Sequence, residues 1–503
     1  MYFLGVDIGS YSAKGVLLSQ AGDIVAVATH AHEMKVPGPG LAEHDADLDW
    51  WGGFCSVTRQ LLQQTGIDAR QIASVGCSGI GPCMLPVDAM GKALRAAVLY
   101  GIDTRAKDEI VELTQRYGAD FLMQRCGMSL TTQAVGPKVL WLARHEPEIM
   151  ARAAHIVGCP TYLVQRLTGA CVVDHYGAAN YAPFYDVEKL AWNNELTSDI
   201  CSPQLLPQVR WTTEIAGFIH AQAARDTGLA EGTPVIVGTV DAAAEATSVG
   251  VLGHGDLMVM YGTSIFFIQV VPELHRDARH WAAPYLFPGT WAAMGGVSTG
   301  GALTHWFRRE LTQWDDRDTG FASLQAEAAQ SPPGANDLIA LPYFSGERTP
   351  INDPQARGML FGLNLTHQRA DLYRALLEGV GHATRHNLDM FDEVYPARAL
   401  YAVGGGVNNS LWIQSSVDIA NKPQRIRQHT VGAAMGSAFL AGIGVGMFKP
   451  SDIERINPVE REIHPQASVR QRYDHDHRIF LALYRSTRDL MSELSKPGES
   501  INA

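Results

Sequence analysis

The sequence predicts an α/β protein made of two similar domains. Three observations carry this expectation. A strand, a turn of small polar residues and a second strand open the chain, and the same unit recurs about 250 residues later. Stretches with apolar residues at helical spacing fill the intervals. The 503 residues suffice for two to four domains, each burying its own core.

The elements follow in order. Residues 2–6, 13–18 and 24–28 are apolar runs separated by Gly9-Ser10-Tyr11-Ser12 and Gln20-Ala21-Gly22-Asp23, so they read as three strands joined by tight turns. Helical patterns cover 51–64, 105–117, 137–146 and 161–167. The run from Val235 to Val240 is rich in β-formers and ends at Asp241 and the small residues of a helix start. The second copy of the opening unit is 256–261, the turn Gly262-Thr263-Ser264, and 265–271. The longest helix is expected over 371–392, where Leu372, Leu376, Val380, Ala383 and Leu388 form one stripe. A short strand over 400–403 runs into Gly404-Gly405-Gly406, and a helix begins near Asn409. Residues 431–448 carry no charge and reach the length of a membrane span, but five glycines and much alanine mark a buried, close-packed helix and its following loop. Residues 469–494 read as a closing helix and 496–503 as a frayed end. No long Ser- or Pro-rich linker occurs, so the domain boundary is expected in a compact hinge around 248–255.

Composition removes several function classes. Forty Lys and Arg against 52 Asp and Glu leave a net charge of −12, a poor match for a nucleic-acid backbone. A hydrophobic share of 46% and a charged share of 18% exclude disorder as the dominant state. The first residues hold no basic segment and meet an acid at Asp7, which argues against a secretory signal. The seven cysteines (55, 77, 83, 126, 159, 171 and 201) form no C-x-x-C pair and all precede residue 202. That usage fits a reduced cytoplasm, with the thiols as small buried apolar groups. The 49 glycines exceed the average of about 7%, and without a collagen period they mark tight turns or close approaches.

Two turns can cradle an anion. In the first, Gly9, Ser10 and Ser12 offer backbone N–H groups and hydroxyls, with Lys14 adding positive charge. Asp7, at the strand end before it, accepts only and suits a magnesium-bound water. The second turn, Gly262-Thr263-Ser264, has the same chemistry. Either alone is an ordinary hairpin; the pair could grip a polyphosphate. Asp241 is a helix cap in the bland reading and a general base facing a cleft in the sharper one. Gly404-Gly405-Gly406-Val407-Asn408-Asn409 could lie under a purine and its ribose, or be a structural turn. No P-loop exists: at Gly91-Lys92 the first Gly is replaced by Pro86 and the last position by Ala93. Asp45, Asp47 and Asp49 resemble a calcium loop, but Trp50 and Ser56 stand where the loop needs Gly and Glu. His382 and His386 are spaced to share a metal, yet with no third ligand nearby they read as partly exposed helix residues.

The ordered set of motifs resembles the FGGY family of carbohydrate kinases, and especially its xylulokinase-like members, from about Phe3 to about Gly446. It comprises Asp7 to Lys14; Glu43-His44-Asp45 through Trp50-Trp51; Asp103-Thr104-Arg105; Pro137-Lys138 with Trp141; Thr161-Tyr162-Leu163; Asp241; Gly262-Thr263-Ser264; Gly362 to His367 with Asp371 and Glu378; and Gly404 to Asn409. The resemblance implies an actin-like ATPase fold of two ribonuclease-H-like domains with a nucleotide and sugar cleft. Residues 1–250 would carry the sugar site and first phosphate hairpin, and 251–503 the second phosphate motif and adenosine site. It implies ATP and Mg2+ as cofactors. Asp241 would be the base that deprotonates a sugar hydroxyl, Asp7 would place the metal, and Asp103 would bond sugar hydroxyls. Ser10, Tyr11, Ser12, Lys14, Gly262, Thr263 and Ser264 would lie near the phosphates. Gly301, His305, Gly405 and Asn409 match nucleotide contacts, with His305 replacing an amide. One departure touches the substrate: Ser78-Gly79-Ile80-Gly81-Pro82-Cys83 stands where xylulokinase-like members carry Ser-Gly-Gln-Met-His-Gly, so Gly81 and Pro82 replace a Met-His pair that contacts sugar.

The expectation is therefore a cytoplasmic ATP-dependent carbohydrate kinase acting on a ketopentose, with D-xylulose foremost. Kinases for ribulose, erythritol or a glycerol-like polyol are the alternatives. A sugar-responsive, non-catalytic ATP-binding protein of the same fold is the rival from another class. A small sugar is the expected partner; no nucleic acid or membrane is expected, and a homodimer is allowed.

Overall fold

The computed structural model describes residues 1–312 and 317–495. Contacts divide them into two units. The first takes Met1–His254, Val270–Ala292 and His429–Pro458; the second takes Gly255–Gln269, the described part of Ala293–Gln428, and the described residues from Val459 onward.

In the first unit, β1 (Tyr2–Ile8), β2 (Ser12–Ser19), β3 (Ile24–Ala31), β4 (Ile72–Gly79), β5 (Ile215–Phe218) and β6 (Pro234–Ile236) form a sheet in the order β5-β6-β4-β1-β2-β3. A short β7 (Thr239–Val240) also pairs with β4. β1 runs antiparallel to β2 and parallel to β4, while β6 is parallel to β4 and antiparallel to β5. The expected opening strands are present and each reaches one to three residues further.

Both faces of this sheet are covered, which is why β1 and β4 read as nearly unbroken apolar runs rather than as alternation. On one face lies the helix Gly53–Thr65. On the other lies the helix Ala433–Gly444, buried from Ala433 to Gly442. That helix sits so close that a Cβ at Gly5 would fall on the Ala434 carbonyl oxygen. A Cβ at Gly436 would fall on the Ala244 carbonyl oxygen of the helix Asp241–Ser248. The uncharged, glycine-rich stretch is thus a packing helix, as its composition implied. Among the described residues no helix is long and apolar enough to cross a membrane.

The second unit repeats the plan. Its sheet contains β8 (Asp256–Tyr261), β9 (Ile265–Val271), β10 (Trp291–Val297), β11 (Ala399–Val403), β12 (Gln424–Arg427) and β13 (Val459–Ile463), with neighbours in the order β10-β9-β8-β11-β12-β13. Again β8 is antiparallel to the next strand and parallel to β11, and β12 is parallel to β11 and antiparallel to β13. Strand for strand this is the order of the first sheet, so the duplication read from two turns extends through six strands. The long helix Arg369–Val394 and the closing helix Arg470–Leu494 match their expected places. The segment expected to fray, 496–503, lies outside the described residues.

One reading changes. His382 is only 3% exposed, not a partly exposed helix residue; its ring stacks on His477. The acidic run at Asp45 serves as capping: the Asp45 carboxylate accepts from Leu48 N, and Asp49 accepts from Asp45 N. All seven cysteines are free, and all but Cys171 are buried.

Candidate active site

The residues singled out in the sequence fall into two groups, one in each unit.

In the first unit, the pairing of β1 with β2 sets Asp7 opposite Lys14. Ser78 Oγ, from the parallel neighbour β4, donates to Asp7 Oδ1 at 2.8 Å. Asp241 opens the helix Asp241–Ser248, where Oδ1 accepts from Ala242 N at 2.7 Å. One turn on, Glu245 accepts from Ala433 N at the start of the packing helix. These three carboxylates converge. Burial pushes Asp7 up to about 6 against the pull of Ser78 and Lys14. Burial and the neighbouring Asp7 carry Asp241 well above the usual carboxylate range, and the same two causes bring Glu245 up to about 7. Negative charge here exceeds what Lys14 balances, so the donor set fits a divalent cation. Among the described residues no three His, Cys, Asp or Glu side chains are arranged to hold a metal by themselves. An ion here would therefore complete its shell with water and phosphate oxygens, as Mg2+ commonly does.

The turn beside Asp7 closes through Gly9 N to Ser12 O at 2.9 Å. Ser10 Oγ lies 3.4 Å from the Tyr100 hydroxyl, and Tyr100 is raised by burial, with Asp241 contributing. Tyr100 had no sequence signal, being one aromatic in a loop. Gly81 packs on Val240, the residue before Asp241: a Cβ there would come within 2.7 Å of Val240 Cγ1. A cavity of about 30 Å3 borders Gly81, Pro82, Cys159 and Val240. It has room for a water and none for a sugar.

Asp103 is buried and both its oxygens are engaged. Oδ2 accepts from Ala42 N at 2.8 Å and Arg105 Nη2 at 2.7 Å, and Oδ1 accepts from Arg105 N and Nε. Burial alone would raise this carboxyl, but the Arg105 bonds outweigh it and hold the group below its ordinary value. Arg105 also reaches Glu43, and its guanidinium lies 5.0 Å from the Trp141 ring centre. Lys138 donates to Leu99 O at 2.7 Å, and burial lowers it to about 8. The sequence motif around Asp103 is thus a packed ion network that fixes the loop holding Tyr100.

In the second unit, Gly262-Thr263-Ser264 is tied to a glycine loop. Gly300 N donates to Thr263 O at 2.9 Å, Gly301 N to Gly262 O at 2.8 Å and Ala302 N to Thr263 O at 3.0 Å. A Cβ at Gly301 would sit 2.9 Å from Gly262 O, so only glycine permits the approach. Glu347 holds this loop from behind: its Oε1 accepts from Ser298 N at 2.6 Å and Arg348 N at 2.7 Å. No pattern in the sequence marked Glu347. His305 is exposed on the helix Gly301–Leu311, edge-on to Phe321. After β11, Gly404 and Gly406 are pressed against Tyr261 and Trp412, whereas Gly405 has nothing within 4 Å of where a Cβ would be. Asn409 caps the following helix through Trp412 N. Beside that cap, an open depression of about 530 Å3 is bordered by Gln325, Ala329, Ser410 and Gln414.

Comparison with known proteins identifies the family. The sequence model of the FGGY family of carbohydrate kinases, N-terminal domain, matches residues 2–249, and that of the C-terminal domain matches 257–445. The chain is similar to the xylulose kinase of Bacillus subtilis (strain 168), 27% identical over 501 residues with 98% of each chain covered. It is 30% identical to the xylulose kinase of Escherichia coli (strain K12) over 498 residues, covering 97% of this chain and 100% of that one. The crystal structure of xylulose kinase from Rhodospirillum rubrum superposes with a TM-score of 0.91 at 30% identity, covering 98% of this chain and 100% of that one.

Proposed function

The chain belongs to the FGGY family of carbohydrate kinases and is a sugar phosphotransferase of the actin-like ATPase fold; on that premise, we propose that it transfers the γ-phosphate of ATP to a primary hydroxyl of D-xylulose or a close ketopentose, in the cytoplasm. The observation that carries the reading is the convergence of Asp7, Asp241 and Glu245 beside Lys14 and the Gly9–Ser12 turn. Xylulose kinases matched over nearly their whole length support the substrate class.

In this reading Asp241 accepts the proton of the attacking hydroxyl, and its raised proton affinity suits a base. The amides of the Gly9–Ser12 turn, Lys14 and the Gly262–Ser264 turn receive phosphate oxygens. Mg2+, when bound near Asp7, neutralises charge on the transferring phosphate. Gly405 and Asn409 take the adenosine, with Gly301 and His305 beside it. Residues 1–250 supply the sugar side, where Gly81, Pro82 and Asp103 lie, together with the first phosphate turn, and 251–503 carry the second phosphate turn and the adenosine site. Asp103, its acceptor positions taken by Ala42 and Arg105, serves the sugar side by fixing the loop that carries Tyr100.

A coupled ADP-release screen over pentuloses, hexuloses, tetritols and glycerol tests this. One ketopentose should saturate with kcat/KM far above the rest. D-xylulose no better than glycerol would end the substrate assignment. ATP binding that responds to sugar with no sugar-dependent ADP release would favour a non-catalytic, sugar-responsive ATP-binding protein.

A further inference from the structure

The carbonyls of the first phosphate turn are all spoken for. Gly9 O receives His32 Nε2 at 3.0 Å, Ser10 O receives His44 Nε2 at 3.1 Å, Tyr11 O receives His32 N at 3.0 Å, and Ser12 O receives Gly9 N at 2.9 Å. Each peptide is a rigid trans plane, so its N–H points opposite to its C=O. Pinning Gly9 O and Ser10 O on two imidazoles therefore turns the Ser10 and Tyr11 N–H groups the other way. Those two N–H groups have no hydrogen bond among the described residues.

The His44 tautomer is fixed by a third residue. The Trp50 indole N–H donates to His44 Nδ1 at 3.0 Å, in a buried contact. Nδ1 must accept, so the ring proton sits on Nε2 and donates to Ser10 O. His32 stands edge-on to His44, ring centres 5.0 Å apart, which completes a two-ring clasp.

We propose that His44, with its tautomer set by Trp50, and His32 are positioning residues that aim the Ser10 and Tyr11 amides at a phosphate. The proposal rests on the kinase reading above. Burial supports it by lowering His44 to about 4, so the ring stays neutral in the working range.

The full chain tests it in three ways. Long-range 15N–1H spectra of histidine-labelled protein, with H44Q assigning the peak, should show His44 protonated on Nε2 from pH 5.5 to 8. H44A should lower kcat by about tenfold or more while the sugar KM moves less than about threefold, as expected when a bond aiming a charge-stabilising donor is lost. H44Q, whose amide can still donate to Ser10 O, should return kcat to within about threefold of wild type. Where H44A fails to fold, W50F serves: it keeps the imidazole, frees the tautomer, and should lower kcat while the fixed-tautomer signal is lost. Binding of a non-hydrolysable ATP analogue, measured without sugar, should weaken in H44A and W50F and recover in H44Q. Protonation on Nδ1, a folded H44A or W50F with wild-type kcat and analogue affinity, or no recovery in H44Q would overturn the proposal. A wild type that binds the analogue but phosphorylates no sugar would instead overturn the kinase reading, and the analogue series would still decide the role of His44.

Discussion

His382 and His477 face each other with their Nδ1 atoms 3.3 Å apart in the interior of the second unit. One ring must donate and the other accept, so the two cannot both be charged. Burial and mutual repulsion drive His382 well below its ordinary value, and burial, with Arg385, lowers His477 to about 3. Unfolded, each titrates near 6.5. The stability they contribute is complete above about 6.5 and is lost as pH falls from there toward the folded values. Denaturant unfolding at pH 7.5 and 5 should show a loss of about 2 kcal/mol per ring, about 4 kcal/mol for the pair. The double variant H382L/H477L should flatten that slope; an unchanged slope would remove the pair from the acid response.

Asp241→Asn should fold normally and bind ATP. Sugar phosphorylation should fall by at least about 10²–10⁴-fold, the range for a lost general base. Retained phosphorylation in that variant would sink the assignment of Asp241.

Gly405 and Gly436 should part company as alanines. Gly405→Ala adds a methyl to open space, so its melting temperature should stay within about 2 °C, yet the KM for ATP should rise because the methyl occupies the surface on which adenosine is proposed to lie. Gly436→Ala would drive a Cβ into the Ala244 carbonyl, with backbone on both sides, and should cost about 2 kcal/mol or more. Equal stability losses in both variants would contradict the packing described.

Glu347→Ala removes the acceptor for Ser298 N and Arg348 N. The loop carrying Gly300 and Gly301 should lose its anchor, raising the KM for ATP about tenfold for one lost buried hydrogen bond. The sugar KM should stay within about twofold. A folded variant with unchanged ATP KM would show that the loop needs no such anchor.

The periodic features were legible because local chemistry fixes them. Alternating turn residues and apolar runs located β1 to β3 and the repeated hairpin, and an uncharged glycine-rich run announced a buried helix. The contacts that arrange the candidate site were not legible in the same way. His44 acts on Ser10 from 34 positions away and Glu347 on Ser298 from 49 away, and no spacing rule links either pair. Glu245 could have been found, since it lies one helical turn beyond Asp241. Reading His382 as partly exposed failed because its neighbour His477 arrives from the closing helix, far along the chain. Asp103 illustrates another limit: its motif marks an important residue, but only the fold reveals how fully Arg105 occupies it.

The helix Ala433–Gly444 bears on how the protein is made. The strands of the first sheet and the helix that bears Asp241 are synthesised by residue 248, but the helix covering one sheet face emerges nearly 200 residues later. At about 5–20 residues per second, the growing chain carries an uncovered apolar face for roughly ten to forty seconds. An N-terminal half expressed alone would keep that face permanently. The first unit therefore completes itself only when most of the second has been translated, and nascent chains stalled in between should be clients for chaperones.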